Sequence, residues 1–344
     1  MGMLDHWHPM LPAKKLRRKP VGVKLAGVPI ALFRTASGKI GALNDICPHR
    51  RMKLSQGEVV GEKLMCRYHG WTFGCDGQGE SPGTPKLQAC ASNFEAREAN
   101  GMIWVKSKES NPKFPEISMP GWFHMCTLEH TIHAPLEVSM DNFCEIEHTP
   151  TTHDVFGYEL DRMRDVTVRF EQTENTVRVI NQGPPKRLGR LLNVLVGIKK
   201  GWVFNDDWTT HFSPLYTIYD HWWSDPKDPT KKSKVQWRLF MFYTPVDENL
   251  TRVTTWSYAK SFWPLPIHGG IWPFRGVMRK KLDYEMKLDV DIVNNLASHD
   301  VNLEGMKLSR FDKALALNRE RINKVYRGGT EQAKSSRTEL QLAE

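Results

Sequence analysis

A chain of 344 residues, 40% hydrophobic and 25% charged, has the length for about two domains with buried cores and the composition of a soluble globular protein. No apolar run approaches the roughly 18 residues of a membrane span, MGMLDHWHPM lacks the basic-then-apolar order of a secretory signal, and six Cys do not make a disulfide framework; the expected location is the cytoplasm. The net charge of +9 has one tight run, KKLRRKP at 14 to 20, with no nucleic-acid motif beside it, so no nucleic-acid binding is expected; the excess reads first as a solvated basic surface and would also suit docking of an acidic protein partner.

Residues 20 to 105 read as short β segments (VGVKLAG, IALFRTA, IGALND, LMCRYHG, WTFG, GMIWVK) separated by Gly, Asn, Asp and Pro, with hairpin tips at SGK and DGQG. The polar stretch SKESNPKFPEISMPG then marks a boundary, so a first, all-β domain is expected over 1–115. A polar segment follows at 140 to 154. Strand-like runs come next: VTVRFEQ, TVRVINQ, YTIYDHWW, VQWRLFMFYTPV and RVTTWSYAK. A long helix is expected from about Arg275 to Ala297 and a second over KALALNRERINKVYRG. Strands enclosed by helices give an α+β class, with an antiparallel sheet and flanking helices forming a catalytic domain over 116–330. The Ser/Thr/Glu-rich end, 331–344, is expected to be disordered.

The first domain carries Cys47, His49, Cys66 and His69, spaced C-x-H, sixteen residues, C-x-x-H. Two close pairs are how adjacent loops pinch a metal, and zinc accepts a Cys₂His₂ set. Zinc fingers, however, keep their Cys together and their His together. One Cys and one His in each pair suit two irons, both Cys on one and both His on the other. The flanks, CPHR and CRYHGW, resemble the Rieske [2Fe–2S] signature, with Tyr68 and Trp71 walling the cluster. Arg51 stands where that family commonly has Gly. The other four Cys are expected to be buried free thiols.

The run DNFCEIEHTPTTH, 141 to 153, resembles the mononuclear-iron motif of Rieske non-haem iron oxygenases, in the terminal oxygenase component. The resemblance implies that His148 and His153 begin a 2-His-1-carboxylate triad, which leaves positions on Fe(II) open for O₂. On the late helix, Leu282, Met286, Asp289, Val293 and Leu296 recur at helical spacing, which puts Asp289 on the apolar stripe and Asp291 outward. Glu285 falls near the stripe too. The family pattern favours Asp289 as third ligand, with Glu285 and Asp291 as alternatives. Glu145 takes the place of a family Asp that bridges His148 to His69 of another protomer, and Asn142 matches a family position near the iron. Glu147 reads as an exposed helix residue, and Asp141 as a cap.

The resemblance further implies a homotrimer and electrons from NAD(P)H through a ferredoxin or a flavin/iron-sulfur reductase. It also implies O₂ chemistry on an apolar aromatic or polycyclic small molecule, by hydroxylation or oxidative dealkylation. The chain length fits the smaller monooxygenase and demethylase branch. The rivals are an aromatic-ring cis-dihydroxylating dioxygenase and a non-catalytic Rieske electron carrier. Trp202, Phe204, Trp208, Phe212, Tyr216, Phe240, Phe242 and Trp256 are candidate pocket residues. The basic amphipathic stretch 184 to 202 reads as a surface helix or a lid.

Overall fold

The computed structural model describes residues 2–261 and 275–329. It divides into two compact units, one of Met1–Pro115 with Thr244–Glu248 and one of Glu116–Tyr243 with Asn249–Glu344. The end of the chain expected to be disordered lies outside the described residues. No helix among the described residues is long and apolar enough to cross a membrane.

The first unit is built of antiparallel strands. Val21–Leu25, Val28–Arg34 and Ile40–Asn44 form one sheet, and His8–Pro12, Met102–Ser107 and Phe94–Ala99 another. Five short strands between Glu58 and Cys90 make a meander. SGK and DGQG turn where hairpin tips were expected. Ala31, Phe33, Leu43, Leu64 and Phe73 pack with Cys47 and Cys66 in one core, so the two thiol-bearing loops rest on a rigid base.

In the second unit seven strands run antiparallel in the order Phe123–Ile132, Leu250–Ser261, Val235–Asp247, Leu215–Asp225, Val203–Phe212, Thr176–Gly183, Thr167–Gln172, with Asp228–Lys232 paired to Leu215–Asp225. Five helices accompany this sheet: α1 (Leu136–Phe143), α2 (Thr149–Thr152), α3 (Arg190–Val196), α4 (Arg275–Asn294) and α5 (Lys313–Arg321). Two of the long strands carry no clean strand signal. Phe123–Ile132 mixes Met, Cys, His and Glu into its alternation, and Val203–Phe212 contains Asn205-Asp206-Asp207, a turn-like triplet. The sheet absorbs that triplet by pairing it across strands. Asn205 reaches Ser224 at 2.9 Å, Asp206 meets His221 at 3.0 Å, and Arg178 clamps Asp207.

All six Cys are free, but only Cys47, Cys66, Cys126 and Cys144 are buried; Cys75 is half-buried and Cys90 exposed. Cys90 ends a two-residue strand at the edge of the meander, where one face has nothing to pack on. Asp141 is not a cap. It sits in the last turn of α1, its side chain 17% exposed, in an ion pair with Arg319 of α5. Burial pushes its pKa up to about 6 against the pull of Arg319.

Gly41 lies on the ring of buried Phe33, where an added Cβ would come within 2.2 Å of ring carbon. Gly41→Ala should therefore destabilise the first unit by about 1–3 kcal/mol, the usual effect of overfilling a packed core. Denaturant unfolding followed by far-UV circular dichroism would show it; an unchanged midpoint would mean that Phe33 has room to move.

Candidate functional site

The first constellation sits on two loops with the same internal bonding. In one, the Cys47 N–H donates to the Met52 carbonyl at 2.8 Å and the Arg51 N–H to the Cys47 carbonyl at 2.9 Å. In the other, the Cys66 N–H donates to the Trp71 carbonyl at 2.7 Å and the Gly70 N–H to the Cys66 carbonyl at 3.0 Å. The fifth residue of each is left-handed, Arg51 at φ 61° and Gly70 at φ 68°. That geometry explains why Gly is the easier residue at position 51: an L side chain there costs about 1–2 kcal/mol.

The loops bring all four side chains together. Cys47 and Cys66 are buried, while the His49 and His69 rings lie 4.5 Å apart, His49 exposed and His69 half-buried. Trp71 stacks on His49 at 4.7 Å and Tyr68 covers His69 at 3.7 Å. Burial pushes the Cys47 thiol up, the backbone N–H groups of His49 and Arg50 pull it down, and the adjoining Cys66 thiol raises it again. Two adjacent thiols, one of them facing backbone N–H donors, and two imidazoles on the outer side fit an iron–sulfur cluster with mixed ligation.

The second constellation is assembled from α1, the turn into α2, and α4. His148 Nε2 and His153 Nε2 are 3.2 Å apart, and Asp289 Oδ1 lies 3.4 Å from the first and 3.3 Å from the second. Donors on one ion, bound at about 2.1 Å each, would stand about 3 Å apart. The three side chains fit a metal ion, and each has a fixed outer partner. Glu145 accepts from His148 Nδ1 and from the backbone N–H groups of Glu147 and His148. Glu285 accepts from His153 Nδ1 at 3.0 Å and from the Asp154 N–H at 3.1 Å. Asn142 donates to Asp289 Oδ1 at 3.0 Å.

Glu285, weighed as an alternative third ligand, is thus turned to the far nitrogen of His153 rather than to the shared point. Asp291 is exposed and bonded by Asn295. Glu147 is exposed. Burial would lower the pKa of His148, but Asp289 and Glu145 outweigh it and hold it up to about 10. Burial would raise Asp289, but the two imidazoles hold it down to about 2. Without a metal the site is therefore a set of ion pairs.

One cavity touches the triad, and it shares Phe156, Leu239, Leu282 and Glu285 with a second, outer cavity that does not. The inner one, about 90 Å³, touches His148, His153 and Asp289 and is walled by Phe143, Trp208, Tyr219 and Met241. The outer one, about 270 Å³, is apolar apart from Lys281, Glu285 and Ser257, with Trp223 and Trp237 on the sheet side and Leu188, Leu192 and Val196 on the side of α3. Of the aromatic side chains expected in a pocket, only Trp208 borders either cavity; Trp202 precedes its strand under Lys199, and the others are on strands of the sheet. Trp223, Trp237 and the His221–Asp206 pair escaped sequence reasoning, because inward and outward positions of a strand covered on both faces look alike.

Comparison with known proteins follows the same division. Residues 6–93 match the family model of the Rieske [2Fe-2S] domain, and residues 132–286 that of the vanillate O-demethylase oxygenase C-terminal domain. Protein TIC 55, chloroplastic, of Pisum sativum is 29% identical over 191 residues, which cover 51% of this chain and 34% of that protein. The vanillate O-demethylase oxygenase subunit of Pseudomonas sp. (strain ATCC 19151) is 32% identical over 133 residues, 36% of this chain and 40% of that one. The chain spans less than half the length of these curated relatives. In fold, it is similar to dicamba monooxygenase bound to 3,6-dichlorosalicylic acid, with TM-score 0.80, 19% identity, and coverage of 97% of this chain and 99% of that one. With a match to each of its two units, the chain belongs to the Rieske oxygenases, a Rieske [2Fe-2S] domain followed by an oxygenase C-terminal domain.

Proposed function

We propose that the chain is a terminal oxygenase that hydroxylates or oxidatively dealkylates an apolar small molecule, with Cys47, His49, Cys66 and His69 holding the Rieske cluster and His148, His153 and Asp289 holding Fe(II). The observation that carries this reading is the triad, with edges of 3.2 to 3.4 Å, at an inner cavity that shares four wall residues with an apolar outer one. A Rieske cluster supplies single electrons at a potential raised by its two imidazoles, and Fe(II) in such a triad supplies open positions for O₂.

The chain's own residues prepare that site. Glu145 and Glu285, by accepting from the Nδ1–H groups, fix both imidazoles in the tautomer whose Nε2 lone pairs converge. Asn142 holds the Asp289 carboxylate so that one oxygen faces them. Phe143, Leu239 and Met241 exclude water from the inner cavity, and the aromatic walls of the outer one suit a ring or a fused-ring skeleton.

Electrons are proposed to come from NAD(P)H through a ferredoxin or reductase. Around the outer face of the first constellation Arg50, Arg51, Lys53 and Arg67 are exposed, a collar that suits an acidic donor surface. The working assembly is proposed to be a homotrimer, with Glu145 on the path into His148, and the domains to run 1–115 and 116–330.

With a surrogate reductase the chain should consume O₂ in an NADH-dependent way on some member of a panel of aromatic ethers, N-methyl compounds and polycyclic terpenoids. One labelled oxygen atom should appear in the product. Asp289→Ala should abolish turnover and iron binding at the triad while leaving the electron paramagnetic resonance signal of the reduced cluster intact. Two labelled atoms in one product would favour the cis-dihydroxylating reading, and turnover surviving in Asp289→Ala would overturn the triad.

Glu285 is proposed as a positioning residue. Glu285→Gln should weaken Co(II) binding at the triad by about 10–100-fold, with partial recovery in Glu285→Asp. Unchanged Co(II) titration curves would reduce Glu285 to a structural ion-pair partner of Lys281.

A dication must displace the proton that Asp289 and Glu145 keep on His148. Co(II) affinity should therefore climb with pH across the neutral range, by up to about tenfold per unit for each proton released. A flat profile would mean that the imidazoles are neutral before metal arrives.

A further inference from the structure

The stretch from Pro184 to Trp202 has two apolar sides where a surface helix needs one. Leu188, Leu192 and Val196 face inward and line the outer cavity. On the other side of α3, Leu191 and Val194 stand 74% and 66% exposed, and Val277 of α4, which borders the same cavity, is 66% exposed. Leu160 is exposed as well, next to Glu159, which pairs with Arg187 of this stretch. Cations surround these side chains. Arg190 opens the helix, Lys199 and Lys200 follow its end, and Lys234 lies against Gly197, where an added Cβ would meet its side chain at 2.5 Å. Arg187 is the one of these with an acidic partner, at 3.0 Å.

We propose that α3 and its flanks dock on an anionic lipid surface, so that an apolar substrate passes from the bilayer into the cavity beneath. Exposed Leu and Val side chains within a ring of Lys and Arg are the pattern of an interfacial element, which inserts its apolar side among headgroups and pairs its cations with anionic lipid. An acidic protein would satisfy the cations but leave the protruding aliphatic side chains without a reason. The lipid route into the cavity rests on the proposed oxygenase reading; the docking itself does not.

The test is co-sedimentation of the full chain with vesicles of phosphatidylcholine alone and with about a third phosphatidylglycerol. The chain should bind the anionic vesicles and largely release them at about 0.5 M salt. Leu191→Glu with Val194→Glu should weaken binding roughly tenfold or more, and so should the charge reversal of Arg190, Lys199 and Lys200. Both variants change exposed side chains, and an unchanged thermal unfolding transition followed by far-UV circular dichroism reports that they fold. Binding that is absent in the parent chain, or equal in parent and variants, overturns the proposal. A change of oligomeric state in the Leu191/Val194 variant, read by sedimentation velocity, would assign the patch to a second copy and overturn it equally. No step of the assay requires turnover, so a failed oxygenase reading and a failed docking surface are told apart.

Discussion

Two carboxylates, one helical turn apart on the buried face of α4, constrain the rest of the second unit. Glu285 and Asp289 are each only 4% exposed. An ionised carboxylate in such a place is costly unless something cationic or hydrogen-bonding meets it. What meets them is His153 for Glu285, both imidazoles for Asp289, Lys281 for the outer oxygen of Glu285 and the Asn142 amide for Asp289. Lys281 belongs to α4 itself, but Asn142 and the two imidazoles lie on other segments, so α1, the His148–His153 turn and α4 must dock in a single register.

The sheet behind them supplies rigidity in a similar currency. Asp141 and Glu137 of α1 are tied to Arg319 and Arg327, which follow α4 in the chain, and Tyr219 donates to the carbonyl of Phe143, the residue that ends α1. The short helix that carries Asn142 is thereby held from both ends. Precise placement of the side chains around an ion depends on such outer contacts as much as on the ligands themselves.

Much of this was legible beforehand, and the pattern of what was not is physical. That Cys47 would meet Cys66 and His49 would meet His69 was expected because loop chemistry is local: spacing and flanking residues decide it. His148 and His153 were readable from their run, and periodicity on α4 put Asp289 inward, although it could not separate a ligand from an orienting carboxylate. That choice depends on which nitrogen each oxygen meets, a distance of an ångström or two. The strand Val203–Phe212 escaped because its polar residues are answered across the sheet by Ser224, His221 and Arg178, and Phe123–Ile132 because its His130 is answered by Asp283 of α4, a partner far away in sequence. Cys90 looked like an ordinary core thiol because composition carries no information about edges.

Arg51 adds a further consequence. Because the loop tolerates an L residue in its left-handed position, it carries a guanidinium where Gly would carry nothing, next to Arg50 in sequence and two residues from the exposed His49. Each such cation stabilises the extra negative charge of a reduced cluster more than that of an oxidised one, and the effect is felt at short range through a partly screened medium. The left-handed backbone of one loop residue would therefore become an electronic setting: a cation there would favour the reduced form of a cluster held by the loops, and salt in the medium would temper how far.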